Sequence, residues 1–287
     1  MRRLTVFLLS LTALIAAAQP KPAYSIFTSE GRETDYGKMI KALHDADIIF
    51  IGETHNCPVA HWMEYEITSD LIKRSAKGLA LGAEMFESDN QLLVDEYTQG
   101  LISSDKFESE AKLWDNYWTD YASLIYLARE NGLKFVATNV PRRYASYVKD
   151  NGLEALSSLS QEAKSLMAPL PISFDRSAQD EEMFGFMQMM GGKGSGNSHF
   201  AQAQALKDAT MAWFISQNFQ KKFIHYNGNF HSEAKGGIIP YLEQYLPGKK
   251  IVTICSARQD NIGSLEKENR GRADFIIVAP TAFPMSY

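Results

Sequence analysis

"IIFIGETHNCPVAH", residues 48–61, decides the fold. Its first four residues are β-branched or aromatic without a polar break, the signature of a strand buried on both faces and therefore of the interior of a parallel sheet. A Glu, two His and a Cys come immediately after. Pro58 then opens a stretch with apolar residues at helical spacing that runs to residue 77, where Lys77-Gly78 supplies a stop. Residues 79–84 form a second apolar run, so the local order is strand, helix, strand. Further strand-like runs at 133–139, 222–227, 250–255 and 274–279 extend the pattern to an α/β fold of three layers, a mostly parallel sheet flanked by helices. Two stretches, 91–129 and 152–214, read as helical insertions or a cap, placed at about 88–130 and 142–218. The expected organisation is one α/β domain over 19–287.

Composition narrows the function. The chain has 287 residues, 45% hydrophobic and 22% charged, with a net charge of -5. That is an ordinary globular composition, and its mild acidity argues against a phosphate-backbone or anionic-membrane footprint. No nucleic acid is expected as a partner, and a small molecule is. The opening "MRRLTVFLLSLTALIAAAQ" places two Arg before an apolar core and an Ala-rich end, which reads as a signal peptide over 1–18. Export to a periplasm is implied by that reading, without a membrane span. Cys57 and Cys255 either close a disulfide in such a compartment or are simply buried; a cysteine-based zinc cluster is excluded by the count.

In an open parallel sheet, ligands sit beyond the carboxyl ends of the strands, so the residues at and just past each strand end carry the chemistry. Glu53, His55 and His61 stand at the end of the first strand and Glu84 closes the second. Asn139, Arg142 and Arg143 stand at the end of the third. Asn227, Asn229 and His231 stand at the end of the fourth. A single carboxylate at a strand end is usually a cap or a surface ion-pair partner. Four such ends on one rim imply a polar cleft. Glu53, His55, Glu84 and His231 suit two chemistries. Either His55, Glu84 and His231 hold a divalent metal, or Glu and His act as general acid and base on water. His225, inside the fourth strand, is expected to be a satisfied buried histidine. Tyr117 and Tyr121 lie in "LWDNYWTDYASLIYLA", where Trp114, Trp118, Tyr121 and Leu124 keep helical spacing and are expected in the core; a tyrosinate, however, is also a haem-iron ligand. "FMQMMGGKGSGNSHF" reads as a Met-rich helix face (Met183, Met187, Met190) broken by a Gly-rich hinge, beyond which His199 starts another helix within reach of a ligand.

"GETH", "GAEMFE", "NVPRR", "FAQAQALKDATMA" and "GNFHSEAKGGI", in this order over residues 47–246, resemble the ChaN-like haem-binding family of the superfamily that also holds erythromycin esterases and Tiki-type proteases. The resemblance implies an exported haem-binding protein of a bacterial iron-uptake system, associated with outer-membrane uptake components. It also implies tyrosine ligation of haem, in some members across a homodimer. No tyrosine here falls inside an aligned motif, so Tyr117 and Tyr121 enter only as candidates. Family lipoproteins carry a Cys directly after the apolar core of the leader, where this chain has Ala18-Gln19, so a lipid anchor is not expected. In the haem reading Arg142, His61 or His199 would grip the propionates, with Asn139 and Asn227 lining the pocket. In the hydrolase reading His55 or Glu53 would activate water, without a covalent intermediate because no Gly-x-Ser-x-Gly elbow is present.

Overall fold

β3 (Ile48–Glu53) is buried at all six positions, and its hydrogen-bonding explains why. It lies between β6 (Lys222–Gly228) and β7 (Ile251–Gln259), parallel to both. The computed structural model describes residues 21–174 and 198–286. Within them, β1 (Ser25–Thr28), β2 (Glu33–Thr34), β4 (Leu79–Glu87), β5 (Lys134–Asn139) and β8 (Phe275–Pro280) complete one sheet ordered β2-β1-β8-β7-β3-β6-β4-β5. Six central strands are mutually parallel, while β1 pairs antiparallel with β8 and β2. The six runs predicted from sequence are these six strands. The β1–β2 edge was not predicted, because strands of four and two residues leave no periodic signal.

Alternation along β3 sorts the helices into two layers. Ile49 and Ile51 pack with α1 (Tyr36–His44), α2 (Pro58–Ser75), α3 (Gln91–Thr98) and α5 (Ala122–Glu130). Ile48 and Phe50 pack instead with α6 (Arg142–Asn151), α8 (Ser198–Asn218) and α9 (Ile238–Tyr245), numbered after α4 (Ser104–Glu110) and the short α7 (Gln161–Lys164). The expected stop of α2 is real. Gly78 adopts φ +80°, a left-handed conformation that costs glycine little, and turns the chain into β4. The two helical stretches are the β4–β5 and β5–β6 crossovers, on opposite faces.

This topology creates a switch point. The chain leaves β3 toward one face through α2 and leaves the neighbouring β6 toward the other through α9, the position at which an open parallel sheet brings polar residues of both layers together. The stretch read as a Met-rich helix face (Met183, Met187, Met190) and a Gly-rich hinge lies outside the described residues, as do residues 1–18, read as a signal peptide.

His225, in the middle of β6, is fully buried, between the Thr138 hydroxyl at 2.8 Å and the Asn227 amide oxygen at 3.0 Å. Burial pushes its pKa down to about 4, against the Asn227 bond and the nearby Glu84 charge and with the His231 charge. Below its ordinary pKa of 6.5 the unfolded chain takes up a proton that the folded chain refuses. Stability therefore falls between pH 6.5 and pH 4, by up to about 3 kcal/mol, and this loss levels off below pH 4. Urea unfolding at pH 7, 5 and 4 tests this: His225→Gln should lose less stability on acidification than the wild type, and parallel losses would refute the assignment.

Candidate functional site

The rim at the switch point is built by two carboxylate–imidazole groups, one from each face of the sheet. Glu53 continues the Ile49–Ile51 row and meets the α2 layer. Its Oε1 receives the Tyr121 hydroxyl at 2.8 Å and His55 Nδ1 at 2.6 Å, and its Oε2 faces His61 Nδ1 at 2.9 Å. His61 lies on α2, and Glu64, one turn further on, places its Oε2 3.3 Å from the same nitrogen. On the other side of that ring, Nε2 lies 3.0 Å from the His55 carbonyl oxygen and 3.4 Å from Asp120 Oδ2. A turn of π-helix, Tyr117–Tyr121, brings Asp120 and Tyr121 inward together. Asn116 and Ser286 then hold the Asp120 carboxylate, at 2.7 and 2.9 Å.

Glu84 continues the Ala80–Gly82 row and faces the α8 layer. It stands where β4 leaves its ladder with β6, whose last pair is Ala83 with Tyr226. Glu84 Oε2 accepts the Gly228 backbone N–H at 2.8 Å and Oε1 lies 3.1 Å from His231 Nε2, while His231 Nδ1 lies 2.5 Å from Asp208 on α8. His55 links the two groups. A Cβ on Gly228 would lie 2.9 Å from His55 Cε1 and Nε2 and 3.6 Å from Glu84 Oε2, so only glycine leaves room for the imidazole there. With its side chain 40% exposed, His55 is the open member of the rim, and Trp114 flanks it at 5.1 Å between ring centroids.

Protonation is set by these contacts. Burial opposes ionisation of every group here, and the partners decide the outcome. Hydrogen bonds from His55 and His61 overcome burial and hold Glu53 below the usual carboxylate range. Burial and the Glu53 charge push Glu64 up. Against burial, hydrogen bonds to Glu53 and Glu64 raise His61 to about 11, and Glu84 and Asp208 raise His231 to about 10. These contacts favour the imidazolium form of both rings. Burial is outweighed at His55 too, where the bond to Glu53 raises the pKa.

The expectations from sequence are met in part. Glu53 and His55 come together, and so do Glu84 and His231, joined through Gly228. The divalent-metal set of His55, Glu84 and His231 does not converge: His231 faces one carboxylate on each side of its ring, which two protons satisfy. Among the described residues the ligating atoms that do converge belong to Glu53, His61 and Glu64, all within 4.8 Å of one another. His61, expected to grip a propionate, is buried among carboxylates. Asn227 is buried and spent on Ser232, Gly228 and His225. Asn139 is buried and ties the end of β5 to the Glu84 carbonyl. Tyr117 packs on Phe86 and Phe107 inside the core, and burial raises its pKa and that of Tyr121, against the phenolate that iron ligation needs. Trp118, expected in the core, is 62% exposed. Arg142 is exposed at the start of α6, away from these contacts. His199 stands nine residues from Asp208 on α8, about 13.5 Å along the axis, and so is off the rim. Cys57 and Cys255 are buried and unbonded.

Sequence reasoning missed Glu64, Asp120 and Asp208. Glu64 was legible as the residue one turn from His61 on the same helix face. Asp208 stands between Leu206 and Ala209, both buried in the structure, and nothing local in the sequence marks it. Asp120 left no signal, because a π-turn breaks the helical register.

Off the rim, a cavity of about 1040 Å³ lies between α8 and residues 153–174. Leu153, Met167, Leu170, Ile172, Phe174 and Trp213 supply apolar walls, and the polar lining is Lys164 and Glu154, of opposite charge, with Ser157, Gln161, Ser165 and Gln202. His199 is its neighbour: a Cβ on Gly152 would lie 3.2 Å from Gln202 Oε1 and 3.4 Å from His199 Nε2.

The buried His231 couple yields a stability prediction. Asp208→Ala leaves the imidazolium with one carboxylate and should cost about 3–5 kcal/mol in urea unfolding at pH 7, whereas Asp208→Asn, which keeps an acceptor oxygen, should cost less. Equal and small losses in both would show that the pair contributes little.

Known proteins share this fold. A solved structure titled "Cofacial heme binding to ChaN of Campylobacter jejuni" superposes with a TM-score of 0.70 over 89% of this chain and 96% of that one, at 16% identity. A Bacillus cereus protein superposes with a TM-score of 0.50 over 85% of this chain and 90% of its own, at 13% identity. Among curated sequences, the chloroplastic protein RETICULATA-RELATED 5 of Arabidopsis thaliana is 28% identical over 129 residues, 43% of this chain, which spans only 18% of that protein's length. The family described as "Haem-binding uptake, Tiki superfamily, ChaN" matches residues 39–242, and this chain belongs to it.

Proposed function

We propose that this protein binds haem in the cavity between α8 and residues 153–174. The observation that carries the reading is the match of that cavity to the ligand chemistry of the family. A haem is a broad apolar plate with two carboxylates at one edge. The cavity offers aliphatic and aromatic walls, a cationic side chain in Lys164 and an imidazole, His199, beside it. Lys164 would meet a propionate and His199 is the nearest described candidate for the iron, whereas Tyr117 and Tyr121 sit in the core. Bound there, haem supplies an iron whose axial ligand and apolar surroundings set its affinity and redox state. The leader-like residues 1–18 support an exported protein, handing haem to or from a partner of an uptake system, with a homodimer as one form of it. Among the described residues no helix is long and apolar enough to cross a membrane.

A second reading, hydrolysis at the rim, is favoured by one observation: the exposed His55 stands between the Glu53 and Glu84 carboxylates, the arrangement of a general base on water. Turnover of a chromogenic ester by the wild type that is lost in His55→Ala would support it, and absence of turnover would remove it.

For haem, titration of the full-length protein should give a Soret band that saturates at one equivalent per bound site with micromolar or tighter affinity. Lys164→Gln should weaken binding several-fold, consistent with loss of one charge-assisted contact, and His199→Ala should shift the Soret maximum. Saturable binding that both variants leave unchanged, or that Tyr121→Phe abolishes, would place haem elsewhere.

A further inference from the structure

We propose that Glu53, His61 and Glu64 form a buried site for one divalent transition-metal cation, beneath the rim and separate from the haem cavity. The proposal is independent of the haem reading. Its first support is convergence. Two carboxylate oxygens, Glu53 Oε2 at 2.9 Å and Glu64 Oε2 at 3.3 Å, point at the same ring nitrogen, His61 Nδ1. One N–H can bond well to one of them, not to both. At His231, by contrast, each nitrogen has its own carboxylate.

The second support is the set of lone pairs that the surrounding groups leave over. The His55 carbonyl oxygen, 3.0 Å from His61 Nε2, can only accept, so that nitrogen keeps its proton and Nδ1 is the one free to ligate. Tyr121 and His55 occupy Glu53 Oε1 and leave Oε2 turned toward His61. Glu64 Oε1 has no hydrogen-bond partner although the residue is fully buried. A buried carboxylate oxygen in that state is costly unless something else meets it. The His61 N–H to a backbone carbonyl and the Tyr121 bond to Glu53 are the outer contacts that orient ligands around a metal.

Charge balance gives the third support. Glu53 and Glu64 ionised, with a neutral His61, sum to two negative charges, and among the described residues no Lys or Arg pairs with them. A divalent ion balances that charge in place of the protons on His61 and Glu64. On binding, the ion takes the place of the His61 Nδ1 proton, and that proton and any on Glu64 leave to solvent. One imidazole and two carboxylates suit Zn²⁺, Mn²⁺ or Fe²⁺ better than Ca²⁺, which prefers an all-oxygen shell. His55, its side chain 40% exposed, bonds Glu53 from the solvent-accessible part of the rim.

The test uses full-length protein stripped with chelator and dialysed. Incubation with Zn²⁺ or Mn²⁺ followed by gel filtration should leave one equivalent by elemental analysis, and Co²⁺ should develop d–d absorption bands. Glu64→Gln, close to isosteric, should weaken Co²⁺ binding at least tenfold while its far-UV circular dichroism and its haem titration stay those of the wild type. His231→Gln should keep the metal. No retained metal, or retention by Glu64→Gln together with loss in His231→Gln, overturns the proposal. So does a nitrogen NMR spectrum that shows both His61 ring nitrogens protonated in metal-saturated protein.

Discussion

The parallel ladder between β3 and β6 is the constraint on which the rest depends. It pairs Gly52 with Asn227 and Glu53 with Gly228, so two chain segments more than 170 positions apart end side by side. Everything polar at the rim is hung from that register. A slip of one residue would turn Glu53 from the α2 layer to the α8 layer and dissolve both carboxylate–imidazole groups at once. The apolar cost of such a slip, with Ile48, Phe50 and Ile51 all changing faces, is what keeps the register fixed.

Glycine is the second element of that arrangement. Gly228 gives up a side chain so that His55 can lie across the end of β6 against Glu84. Gly52 does the same for Asn229, whose Oδ1 would lie 2.9 Å from a Cβ there, and Asn229 in turn bonds the Ser256 backbone on β7. Four neighbouring strand ends, those of β7, β3, β6 and β4, are thus stitched by short polar contacts in place of bulk. The result is a polar floor in which His55, its side chain 40% exposed, is partly open to solvent.

Burying Glu53, Glu64, Asp120, Glu84 and Asp208 is expensive, and the protein offsets that cost locally. His231 serves Glu84 and Asp208 through opposite ring nitrogens. His61 faces three carboxylates with two nitrogens, and that imbalance separates the α2 side of the rim from the α8 side. The cavity between α8 and residues 153–174 draws on different residues and a different part of α8, so the fold carries two chemically distinct regions within one sheet-and-helix frame.

Much of this was legible in the residues themselves. The unbroken apolar run of residues 48–51 specifies a doubly covered strand, the spacing of Val59, Met63, Ile67 and Leu71 an α-helix, and Gly78 its end. The acids and imidazoles at the strand ends mark the rim, because a parallel sheet collects the carboxyl ends of its strands on one side. Which residue meets which was not legible. The split of Glu53 and Glu84 onto opposite faces depends on strand phase, and the burial of His61, Asn227 and Tyr117 on packing between elements distant in sequence. The roles of Asp120 and Asp208 depend on a π-turn and a helix crossing that carry no local signature. Local periodicity encodes how each segment folds, while the partners of a buried charge are fixed only when desolvation forces each one to find its counterpart in space.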